Sequence, residues 1–202
     1  MYSRKVDGKT LTFEHARFLY QRSFVLYDRE TLSLWIHTTG TSVIGKQKGK
    51  TLKFLPSTVT TWKNWRKEHP QTLVLNVRKG KNPRFTLRKK PQDGGFSVGE
   101  SDGDLKLYPL SILQKQRVIN DELAGKKIVV IFDPDQWRFA AYERGKRTFK
   151  WKDGKLVDQT GTEWNLLKGS SGKEVLKPIP VVSWLTKAWK RFYPEGKIYS
   201  SK

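Results

Sequence analysis

The 24 residues LKFLPSTVTTWKNWRKEHPQTLVL at 52–75 return without a gap at 176–199 as LKPIPVVSWLTKAWKRFYPEGKIY. At this constant offset Leu52, Lys53, Pro56, Lys63, Trp65 and Pro70 meet identical residues, while Leu55, Arg66, Lys67 and Val74 meet similar ones. A register held over that length points to one supersecondary unit used twice. The chain therefore reads as an internal duplication whose first copy is incomplete.

Each copy predicts a strand, a helix and a second short strand. In the first, Pro56, Ser57 and Thr58 open the helix, with Val59, Trp62 and Trp65 on its apolar face and Lys63, Arg66 and Lys67 opposite. Pro70 ends it, since proline supplies no N–H and disfavours helix at His69. In the second, Ser183 is the expected N-cap, Trp184, Leu185, Ala188, Trp189 and Phe192 form the stripe, and Pro194 ends the helix. Trp65 and Trp189 are expected at matching buried positions.

Around these copies lie short β-branched and aromatic runs that read as strands at 9–13, 23–28, 31–36, 51–55, 105–108, 127–132 and in a meander over 137–167. Residues 127–132 (KIVVIF) are apolar in succession, which suits a central strand covered on both faces. Asp153-Gly154 signals a hairpin turn. Residues 28–35 (DRETLSLW) and 158–164 (DQTGTEW) repeat a second motif in which Trp35 and Trp164 anchor a turn into the core. The expected class is α+β and β-rich, with two related small antiparallel sheets each carrying one amphipathic helix. The units are placed at 1–76 and 105–202, joined by a linker over 77–104 whose first half is basic and whose second is acidic and Gly-rich. If the first copy lacks the counterpart of 127–132, its sheet has either an open edge near Tyr2, a situation that invites self-association, or a compensating contact from the linker or a second molecule.

Composition removes several chemistries. Without cysteine there is no disulfide, thiolate metal site or thiol nucleophile. His15, His37 and His69 have no helical metal-pair spacing, and no cofactor or metal is expected. No apolar run approaches a bilayer span, and residues 1–7 do not read as a signal peptide. The net charge of +21, from 40 Lys+Arg against 19 Asp+Glu, favours polyanionic partners. Residues 78–90 hold seven basic residues and no acid. Arg78, Lys79, Lys81, Arg84, Arg88, Lys89 and Lys90 are thus candidate polyanion contacts, the competing reading being a solvated connector.

Residues 6–13 (VDGKTLTF), 26–31 (LYDRET), 33–35 (SLW), Leu55-Pro56, Thr60-Thr61-Trp62, Trp65 and His69-Pro70 resemble the bacterial and archaeal family known as domain of unknown function 3179. Residues 107–110 (LYPL), 118–121 (VIND), 128–130 (IVV) and 132–134 (FDP) are similar to the start of that family's second half, so the resemblance extends over nearly the whole chain. It implies an exported protein with a preceding segment that ends in Cys-Pro-x-Cys, in some members with selenocysteine. Here the counterpart in copy two is Asp133-Pro134-Asp135-Gln136, without a thiol.

No catalytic constellation stands out. Gly40-Thr41-Ser42-Val43-Ile44-Gly45 misses the nucleophile-elbow spacing by one residue, and Ser42 reads as a loop serine. Candidate ligand-binding residues are the Asp28–Arg29 pair, His69, Asn120 and Asp121, and Asp133. For each a structural role competes: a hydrogen-bonded corner at Asp28, packing at His69, a turn at Asn120. The leading expectation is a non-catalytic ligand- or partner-binding module. The alternatives are a fragment of a thiol or selenol redox protein whose active motif lies upstream, and a basic nucleic-acid or polyanion binder.

Overall fold

The structure, a computed structural model, describes residues 1–74, 93–101 and 103–201. A short ladder of β1 (Lys5–Val6) and β2 (Lys9–Thr10) turns at Asp7 and Gly8, both at positive φ. The antiparallel meander β3 (Phe13–Tyr20), β4 (Ser23–Asp28), β5 (Leu34–Ile36) and β6 (Thr41–Ile44) follows, then α1 (Trp62–Glu68). The next elements are β7 (Gly95–Gly99), β8 (Leu105–Pro109), α2 (Leu110–Gln116), β9 (Val118–Leu123), β10 (Lys126–Asp133) and β11 (Arg138–Glu143). A second meander, β12 (Phe149–Lys152), β13 (Lys155–Asp158) and β14 (Glu163–Trp164), leads to the pair β15 (Ser170–Ser171) and β16 (Glu174–Val175). The chain closes with β17 (Lys177–Pro178), β18 (Val181–Trp184), α3 (Thr186–Phe192) and β19 (Lys197–Ile198). Only the β8–β19 pairing is parallel among the described ladders. The β-rich α+β class holds.

The main core is built on β10, which pairs with β9 on one side and β11 on the other in the order β17-β11-β10-β9. Its alternating side chains separate two apolar clusters. Ile128, Val130 and Phe132 face Phe96, Tyr108, Leu113 and Phe139, while Val129 and Ile131 face Tyr142, Phe149, Leu156 and Trp164. Both faces being covered is the physical reason the strand is apolar at every position from Ile128 to Phe132.

Gly95–Gly99, expected within a linker, instead forms β7, buried between β18 and β8. Its glycines are needed because backbone packs against them: a Cβ on Gly95 would lie 2.4 Å from the Tyr108 carbonyl oxygen, and one on Gly99 2.1 Å from that of Asp104. The expected strand at 51–55 is reduced to bridges of Thr51 with Thr41 and of Phe54 with Tyr2.

The two helices of the repeated stretch occupy positions the same 124 residues apart and end alike, His69 N–H bonding Trp65 O and Tyr193 N–H bonding Trp189 O. Their starts differ from expectation. Thr61 rather than Pro56 opens α1, its hydroxyl accepting from Asn64 N, because Val59 is pinned in an extended bridge to Phe139. Ser183 lies inside β18, paired with Phe96, so the cap position of α3 falls to Leu185, which makes no side-chain cap bond.

Burial separates the helices too. Trp189 is fully buried against Leu107 and Trp184, whereas Trp65 is 38% exposed. The sheet β18-β7-β8-β19 supplies the cover for α3. No residue of α1 is fully buried, and the expectation of matching burial is corrected accordingly.

Near the start of the chain, Leu55 N bonds Met1 O and Ser3 N bonds Lys53 O. Tyr2 is then clamped through its hydroxyl on Thr38 O, and its ring lies over Gly40, where a Cβ would approach to 2.6 Å. In the second half Ile179 N bonds Ala141 O, the Tyr142 hydroxyl bonds Leu166 O, and the ring lies over Gly169, where a Cβ would approach to 2.3 Å. Both glycines have positive φ, so neither conformation nor space admits a side chain. Among the described residues no helix is long and apolar enough to cross a membrane.

Candidate functional site

The second repeated motif folds into two corners of the same construction. Asp28, at the end of β4, is fully buried and accepts from Thr31 N at 2.6 Å, Thr31 Oγ1 at 2.7 Å and Trp35 Nε1 at 2.8 Å. Asp158, at the end of β13, accepts from Thr160 N at 2.9 Å, Thr160 Oγ1 at 2.6 Å and Trp164 Nε1 at 3.1 Å. Burial pushes both carboxyls up, but these donors more than offset it and hold each below the ordinary aspartate value. Arg29 does not complete a pair with Asp28. It stands in the turn after β4, and its guanidinium bonds Glu14 through Nε at 2.6 Å, with the Tyr27 hydroxyl on the same carboxylate.

The other expected residues are also dispersed. His69 caps α1 and its ring lies 4.0 Å from that of Trp65. Asn120 exchanges two hydrogen bonds with the Phe149 backbone, at 2.8 and 2.9 Å, and so ties β9 to β12. Asp121 accepts from Lys106 at 2.7 Å and from Tyr108 at 2.8 Å. Burial pushes the Asp121 carboxyl up, Lys106 and Tyr108 more than reverse this, and Tyr108 is itself driven far up by burial and by Asp121. Asp133 turns its carboxylate on Asp135 N at 3.0 Å and Gln136 N at 3.3 Å. Ser42 is buried in β6 and donates to Leu34 O. The basic residues Arg78, Lys79, Lys81, Arg84, Arg88, Lys89 and Lys90 lie outside the described residues.

A cleft of about 560 Å³ opens where the turn after Asp133 meets α1, lined by Thr61, Lys63, Asn64, Lys67, Asp135, Gln136 and Arg138. Its walls come from opposite halves of the chain and are tied by Asn64 Nδ2 on Gln136 O at 3.0 Å. Three cations line it. Asp135 is held by Arg117 at 2.9 Å, and Glu68 stands 3.7 Å from Arg138. The Arg138 guanidinium is mostly buried, and its Nε has no hydrogen-bond partner among the described residues. A buried donor left unpaired calls for an explanation, and a planar guanidinium in a cationic cleft suits a carboxylate or phosphate.

Residues 1–89 match the family described as Protein of unknown function (DUF3179). Over that stretch the chain resembles the family. The DUF3179 match takes in the Asp28 corner and α1, one wall of the cleft, and stops before the other, so the nearly full coverage expected from the motifs is reduced to the first half. Neither curated proteins nor solved structures gave a match.

Sequence reasoning found one residue of this cleft region, Asp133, and missed Arg138, Lys63 and Lys67 as a group. The signal available was weak: Lys63 and Lys67 are one turn apart on a helix already read as amphipathic, but nothing local joins them to residue 138.

Proposed function

We propose that this chain is a non-catalytic binding module, and that the cleft between α1 and the turn after Asp133 takes a small anion bearing a carboxylate or phosphate. The observation that carries the reading is the grouping of Arg138 with Lys63 and Lys67 along one cleft of about 560 Å³. The cleft takes one wall from each half of the chain, and an internal duplication is proposed alongside it. Support for the duplication comes from the paired Asp–Trp corners, the paired Tyr–Gly contacts and the matching helix ends. The difference in tryptophan burial counts against it, since a structural repeat would bury both rings alike.

Calorimetric titration with inorganic phosphate and with succinate tests the proposal. Binding of at least one is expected, weakened about tenfold or more by Arg138→Gln, the effect of losing a hydrogen bond to a charged group. Lys67→Gln, an exposed change that leaves the fold alone, is expected to weaken it less. Heat that is the same for wild type and both variants would mean that the anions bind the basic surface at large, and the cleft reading would be withdrawn.

A further inference from the structure

The β3–β4 hairpin ends in an apolar and cationic tip for which the cleft has no use. Phe18, Leu19, Tyr20 and Phe24 are each about half exposed, at 49%, 56%, 48% and 53%. The pairing register breaks between His15 and Leu19, with Arg17 at positive φ, a bulge that takes Phe18 out of the ladder. Leu19 pairs with Phe24 across the strands. Between His15 and Tyr27 the sequence has no acid and carries Arg17 and Arg22. Arg191 of α3 joins them, donating to Gln21 O at 3.0 Å, and α3 is likewise without acids.

We propose that this tip docks on an anionic lipid surface. The half-exposed apolar side chains and flanking arginines match the two layers of a lipid interface: phenyl and leucyl groups enter the acyl boundary while arginines stay among the head groups. Charge complementarity selects the surface, because the hairpin between His15 and Tyr27 carries positive charges and no acid, in a chain of net charge +21. A single-stranded nucleic acid would meet the same cations and could stack on the exposed Phe18, Tyr20 and Phe24, but it has no use for the aliphatic Leu19, and it is kept as an outcome of the test.

Co-sedimentation of the whole chain with phosphatidylcholine vesicles, with and without phosphatidylglycerol, tests this. Binding is expected only to the anionic vesicles and falls with salt. Arg17→Asn with Arg22→Asn, chosen because asparagine tolerates the positive φ of both sites, should weaken it about fivefold per residue. Phe18→Ser with Leu19→Ser should weaken it at least about tenfold, with the melting temperature unchanged. Lys46→Gln with Lys48→Gln, at the opposite end of the sheet where Gln47 N bonds Ser33, is the control and should have little effect. Equal losses in the control and tip variants, or equal binding to neutral vesicles, would overturn the proposal. So would displacement of the vesicles by a single-stranded oligonucleotide that needs the same tip residues, or lipid-free dimerisation abolished by Phe18→Ser with Leu19→Ser.

Discussion

Trp189→Ala is expected to destabilise the protein by about 3–5 kcal/mol, the usual cost of truncating a fully buried aromatic. Trp65→Ala, at the matching position of the repeat, should cost well under half as much. The asymmetry follows from what covers each ring. Trp189 packs edge-on against Trp184 at 5.4 Å, lies beside Tyr193 at 4.6 Å, and closes on Gly196, where a Cβ would stand 2.8 Å from its ring. Trp65 keeps the stack on the following ring, His69 at 4.0 Å, but it is 38% exposed and its Nε1 reaches Thr72 Oγ1. Denaturant unfolding of the two variants decides the matter, since the midpoints should separate clearly. Equal losses would mean that α1 is covered as fully as α3.

That pair also shows how far the sequence could be read. The helices, their proline stops and their register were legible, because they depend on local chemistry that the repeat states twice. Burial was not, since it depends on β7 and β18 lying beside α3, and β7 disguises itself: a run of Gly-Phe-Ser-Val-Gly has the composition of a linker. Its glycines are there for close backbone approach rather than for flexibility. The strand at 127–132 was legible for the opposite reason, an unbroken apolar run having few uses other than a strand covered on both faces. For the candidate site the limit was distance. Thr61 to Lys67 and Asp135 to Arg138 are separated by some seventy residues, and only tertiary contacts, the Val59–Phe139 bridge and the bond of Asn64 to Gln136 O among them, bring them together. The Asp28 corner, in contrast, carries its donors within seven residues, and the repeat at Asp158 exposed the pattern.

At that corner Asp28→Ala is expected to cost about 3 kcal/mol or more, because Trp35 Nε1 and Thr31 N would be left as buried donors at about 1–3 kcal/mol each. The carboxylate should also leave a signature in acid. Burial raises the Asp28 carboxyl, the hydrogen bonds of Trp35 and Thr31 lower it further than burial raises it, and the folded value ends below the unfolded one. A depressed folded value means that the folded state binds fewer protons than the unfolded chain over the interval between the two. The stabilisation is therefore fully present above the unfolded value, about 3.9 for aspartate, and is lost as pH falls through the folded value. Asp158 and Asp121 have the same sign, so their losses fall in the same window. Wild-type stability should hold on the acid side of neutrality until the pH drops below about 4 and then decline. Asp28→Asn removes one of the titrating groups, so it should be less stable than wild type near neutrality and converge on it at low pH. Melting curves of both proteins from neutral pH into acid test this directly. A gap between them that stayed constant down the acid limb would show that Asp28 holds its corner by shape alone and that its charge contributes nothing to the fold.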